Sequence, residues 1–242
     1  EASMWVALAS LVSSHLVAIV AYQPADLLRD PWLLLDVTGS MSSLGGMLGG
    51  GKSSGGGDVG VMADEFNRDA SAINEVVSYS LLQIVAALGD KTQIANVKAV
   101  ADNLNKTTDP KEKGSIQGTT VKDTAAVAET LLKSADAKAK VEKMAPEMQQ
   151  KVAKSIFAVG VASLRIPAMM DKGKKIIEGV GSNPMNITKA LPVKDGMAVF
   201  AAALPKMPSI LTTGLQLMRD VKVDPGNPAA DSKLEADKNL IV

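Results

Sequence analysis

Cysteine is absent from this 242-residue chain, and histidine occurs once, at His15. Without thiols there can be no disulfide, no thiol nucleophile and no cysteine metal site, and one imidazole cannot build a histidine zinc site within a single chain. Aromatic residues are nearly as scarce, at two Trp, two Tyr and three Phe. A stacking platform for nucleic-acid bases is therefore lacking. Net charge is missing too. The 26 Lys and Arg balance 26 Asp and Glu, so no global positive field draws the chain onto nucleic acid, and no nucleic-acid partner is expected. No nucleophile, base and orienting group assemble into a catalytic pattern, so the expectation is a protein that is not an enzyme and needs no cofactor.

What is present is aliphatic. Ala, Val and Leu are abundant and there are twelve Met, which points to an adaptable aliphatic core. The chain divides by composition into an apolar N-terminal segment over residues 1–38, a Gly/Ser-rich tether over 39–60, a helical body over 61–222 and a polar tail over 223–242. Glycine and serine at the density of SSLGGMLGGGKSSGGG lose more backbone entropy on ordering than they recover by burial, so the stretch reads as a tether. Residues 4–22, MWVALASLVSSHLVAIVAY, carry no charge and match the length of a bilayer-spanning helix with an aromatic residue near each end. This segment is read as a signal, a membrane anchor or non-native sequence. QPADLLRDP then ends any helix.

Three motifs overlap at the tether. Val37-Thr38-Gly39-Ser40 follows an apolar Leu run and resembles the lipobox of bacterial lipoproteins, with Ser40 where the lipidated cysteine would stand. A serine hydroxyl cannot form that thioether. Asp36-Val37-Thr38-Gly39-Ser40-Met41 also resembles the metal-ion-dependent adhesion site of von Willebrand A domains, which would make Asp36, Thr38 and Ser40 oxygen ligands of a hard divalent cation such as magnesium. That fold needs alternating strands and helices next, and a glycine tether follows instead. Gly46 to Ser53 satisfies the phosphate-loop pattern, but Ser54-Gly55-Gly56-Gly57 does not start the helix on which such a loop depends.

From Asp58 onward the pattern is helical. Phe66, Ile73, Val77, Ile84 and Leu88 share one face of a helix predicted over about residues 59–88, stopped by Gly89. Asp90 offers the N-cap of a second helix bearing Ile94, Val97, Ala101 and Leu104. TTDPKEKGSIQGTT reads as a polar loop, with Thr119 or Thr120 capping a third helix that continues to Val141. Pro146-Glu147 opens a fourth helix toward Pro167, and MMDKGKKIIEGV a short fifth one. The tail, rich in Pro and polar residues, is expected to be disordered.

The last helical pair is the most apolar: only Lys206 is charged between Gly196 and Met218. Pro205 and Pro208 break it into two pieces, each too short to span a membrane. Met197, Phe200, Leu204, Met207, Ile210, Leu211, Leu215 and Met218 are the candidate lining of an apolar site, because flexible Met-rich walls suit acyl chains or sterol-like ligands. The fold expected is an all-α bundle of about six or seven helices. Tether followed by Ala-rich helices resembles the layout of uncharacterised helical envelope lipoproteins of Gram-negative bacteria. That resemblance implies a periplasmic, membrane-attached protein of the bacterial cell envelope, binding a lipid or other apolar molecule, or a protein partner, between its helices. The alternatives are a metal-dependent adhesion module at Asp36, Thr38 and Ser40, or a purely structural scaffold.

Overall fold

The computed structural model describes residues 59–180 and 187–240. The N-terminal segment, the three motifs and all of the tether but Val59 and Gly60, which belong to the first helix, lie outside the described residues. Those described form an all-α bundle of seven helices with no strand. They are α1 (Val59–Leu88), α2 (Lys91–Lys106), α3 (Pro110–Leu132), α4 (Ala137–Glu142), α5 (Pro146–Val180), α6 (Ile187–Ala203) and α7 (Met207–Asp220).

Helix α1 is the axis of the bundle. It packs most extensively on α5 and α3 and also meets α2, α6 and α4. Its first half buries a single stripe through Ala63, Phe66, Ala70 and Ile73, whereas from Val76 to Ala86 every residue is buried. A helix surrounded on all sides must bury its polar residues as well, and each such group then needs a partner. Ser78 donates to the Gln117 carbonyl at 3.4 Å, and Tyr79 donates to Asn105 Oδ1 at 2.6 Å. Burial, reinforced by the negative charge of Glu75, pushes the Tyr79 phenol above its ordinary range. Among the described residues, no buried side-chain nitrogen or oxygen lacks a hydrogen-bond partner.

The helix ends follow local chemistry. At Gly89 a Cβ would sit 2.6 Å from the Val85 carbonyl oxygen, so the chain leaves α1 where only glycine fits. Asp90 and Gln93 then form a reciprocal capping box, with Gln93 N donating to Asp90 Oδ1 at 2.8 Å and Asp90 N to Gln93 Oε1 at 2.9 Å. Lys140 on α4 donates to the Leu88 carbonyl at 2.7 Å, satisfying the open C-terminus of α1.

Three boundaries differ from the sequence reading. The stretch expected as a loop belongs to α3, which starts at Pro110 because Asp109 accepts from the backbone of Lys111 and Glu112 at 3.0 and 2.8 Å. Its glycines are tolerated since α3 is held by tertiary packing: Val199 of α6 approaches within 2.9 Å of where a Gly118 Cβ would lie. The third helix does not continue to Val141. It ends at Leu132, and α4 follows as a separate short helix. Conversely, α5 runs unbroken through Pro167, because burial of Val159, Ala162, Ile166, Met169 and Ile176 along one face outweighs the hydrogen bond that proline removes.

By length and apolar composition α1 and α5 are each able to cross a membrane, and α6 and α7, bent by 49°, would together make a third span. In the bundle, 78% of the most apolar window of α1 and 72% of that of α5 are buried. Their hydropathy is satisfied by protein, with only Val61, Ile177 and Leu191 as exposed large apolar side chains among the described residues.

Candidate functional site

The eight candidate lining residues of α6 and α7 fall into two groups. Phe200, Met207, Ile210 and Met218 are buried in the core, and Met197, Leu204, Leu211 and Leu215 are half-buried against it. Phe200 meets Phe66 of α1 edge to face, with ring centroids 6.5 Å apart. Gly214 lies so close to α5 that a Cβ there would be 2.8 Å from Ile156 Cγ1. These large flexible side chains fill the space between α6, α7 and α5. Glu129 locks the hairpin to α3 through Lys206 at 3.1 Å, and also pairs with Lys133 at 2.7 Å. Burial raises the Glu129 carboxyl pKa, but hydrogen bonds from Lys133, Ser209 and Lys206 outweigh it and hold the group down at about 2.

Between α2 and α3 the surface opens. A groove of about 480 Å³ is lined by Ala99, Val100 and Asn103 from α2 and by Ser115, Ile116, Thr119, Thr120, Asp123 and Thr124 from α3. Its origin is local. Val97, Ala101 and Leu104 bury α2 against the body, Gln117, Thr120, Val121 and Thr124 bury α3, and the two helices meet each other only sparingly. Tyr79 pins the far end of α2 through Asn105. A Cβ at Gly114, next to the groove, would meet nothing within 4 Å.

Chemically the groove mixes apolar groups from Ala99, Val100 and Ile116 with neutral hydrogen-bonding groups from Asn103, Ser115, Thr119, Thr120 and Thr124, of which Thr120 and Thr124 are the most buried. Asp123 is the sole ionisable lining residue, so the lining holds no carboxylate pair of the kind used in acid–base catalysis. No group of three or more His, Asp or Glu able to hold a metal occurs among the described residues. Asp36, Thr38, Ser40 and Lys52 lie outside those residues. Half of the groove was hidden by reading residues 107–120 as a loop; Asp109-Pro110, an N-cap followed by an N1 proline, was the signal that reveals it. Comparison with protein families, curated proteins and solved structures finds no match to this chain.

Proposed function

We propose that this chain is a non-enzymatic binding protein of the bacterial envelope, attached to the membrane through its N-terminal segment, and that it takes the acyl portion of an amphiphile in the groove between α2 and α3. The observation that carries this reading is the groove itself, of ligand size, with apolar side chains interleaved with neutral hydroxyl and amide groups. Binding between α6 and α7 would require packed side chains to part, whereas this groove stands open. The half-buried Val100 and Ile116 suit an alkyl chain, and the exposed hydroxyls of Ser115 and Thr119 suit a neutral or hydroxylated head.

The test is titration of the full chain with a fluorescent fatty acid. Saturable uptake is expected, weakened at least tenfold by Ile116→Asp, which places a charge on the groove floor at a half-buried position without unfolding the bundle. No uptake, or uptake indifferent to Ile116→Asp in a variant with an unchanged helical circular dichroism spectrum, would remove the ligand and leave a scaffold.

A further inference from the structure

The tail over 223–242 was expected to be disordered, yet its described residues, 223–240, are laid along the bundle. Val223 turns back at the end of α7, where its N–H donates to the Met218 carbonyl at 2.9 Å, and is itself buried. Asp224 closes a small turn onto Gly226 N at 2.8 Å, and Gly226, at φ 78°, passes beside the Phe157 ring. Pro228 occupies the space above Gly160 of α5 that a larger residue would take. The chain then turns at residues 229–232 and continues to Leu240 through a second small turn, in which Asn239 N donates to Asp237 Oδ1 at 3.0 Å.

Three bundle side chains hold this strap, and all three donate to its main-chain carbonyls. Arg165 donates from Nε to Ala230 at 2.7 Å and from Nη2 to Ser232 at 2.6 Å. Lys151 donates to the Asn239 carbonyl at 3.1 Å. Gln83, 1% exposed at the centre of α1, directs its amide to the carbonyls of Asp237 and Asn239. Side-chain recognition comes from alternation and charge. Ser232, Leu234 and Ala236 turn inward while Asp231, Lys233, Glu235 and Asp237 face solvent, and Leu240 closes the run inward. Lys238 pairs with Glu75 at 2.9 Å, and Asp237 with Lys151 at 3.7 Å.

Donors aimed at carbonyls grip any extended backbone, whatever its side chains, and alternate pockets select the pattern. Gln83, Lys151 and Arg165 thus meet the strap through carbonyl groups that every peptide carries. We propose that the α1–α5 face under residues 228–240 is a docking groove for an extended peptide segment of a partner protein, with the strap as its resident, displaceable occupant. The matching segment carries apolar residues at alternating positions followed by an acidic–basic pair, the arrangement that Lys151 and Glu75 complement. The tethered strap competes at high effective concentration, so the partner binds weakly until the strap is released. Asp224, Gly226 and Asn227 in the connecting turn are exposed, where cutting would release it.

The test uses the full chain with a protease recognition sequence inserted between Gly226 and Asn227. After cleavage the strap is expected to stay bound through gel filtration, and to exchange with a fluorescent peptide of residues 228–240 added in excess. The cleaved protein should bind that peptide at least tenfold more tightly than the uncut protein. A peptide carrying Leu234→Asp and Leu240→Asp should not bind, and Arg165→Leu in the bundle should weaken the normal peptide several-fold. Equal binding to cut and uncut protein would overturn the proposal, as would strap loss that unfolds the bundle. A cleaved strap that never exchanges would show a permanent part of the core and overturn it equally.

Discussion

The hairpins α2–α3 and α6–α7 are both pairs of short-linked helices packed on the long helices of the bundle, yet one borders an open groove and the other a packed interior. The difference lies in side-chain volume and flexibility. Phe200, Met207, Ile210 and Met218 are large and reach any gap within their range, so they fill the space they line. Ala99, Ser115, Thr119 and Thr124 are short, and their helices are held apart by separate attachments to the body. An apolar stretch therefore marks where space has been filled. Open volume arises where small residues face one another on elements that cannot move together.

The largest effect expected to test this contrast is at Phe200. Phe200→Ala should cost about 3 to 5 kcal/mol in urea unfolding, while Ile116→Ala in the groove should cost about 1 kcal/mol. Similar losses at both sites would break the comparison. Glycine offers a sharper version, because one substitution should change sign between the hairpins. Gly214→Ala drives a methyl into Ile156 and should destabilise by about 1 to 2 kcal/mol. Gly114→Ala enters open space within α3 and should stabilise by about 0.5 to 1 kcal/mol through helix propensity. Thermal melts of the two variants would therefore move in opposite directions.

Acid probes the link between the hairpins. The Glu129 carboxyl is depressed to about 2 from an ordinary 4.5, so its contribution is present in full above pH 4.5 and is lost as the pH falls toward 2. Glu129→Gln should lower stability by about 1 to 2 kcal/mol at neutral pH and flatten the loss between pH 4.5 and 2. An unchanged acid profile would show that Lys206 and Ser209 do not tie α7 to α3. A comparably small effect is expected at the end of α7. Lys222 adopts φ 61° while its N–H donates to the Arg219 carbonyl at 3.0 Å, a left-handed helix cap in which glycine fits without steric cost. Lys222→Gly should stabilise by about 1 kcal/mol, read as a rise in melting temperature.

Much of the architecture was legible in the sequence. The repeat of Phe66, Ile73, Val77, Ile84 and Leu88 located α1, Gly89 its end, and Asp90 with Gln93 the start of α2, because each depends on neighbours within one or two turns. Boundaries went astray where a local signal was overruled from a distance. Pro167 reads as a stop, but the face buried on both sides of it carries α5 through. Gly114 and Gly118 read as a loop, but Asp109 nucleates the helix and contacts from α1 and α6 hold it. The strap shows the same effect more strongly. Its sequence is polar and proline-containing, and the donors that hold its main chain, Gln83, Lys151 and Arg165, lie 65 or more positions away along the chain.

By itself the sequence determined the chemistry open to this protein and the class of its fold. Missing thiols and a lone histidine restrict metal and nucleophile chemistry whatever the conformation, and helical periodicity follows from spacing alone. Tertiary structure alone decided which apolar residues became core, where volume stayed open and which surface the tail covers. Those outcomes depend on the distance between elements brought together from far along the chain, and on whether the side chains between them are large enough to meet.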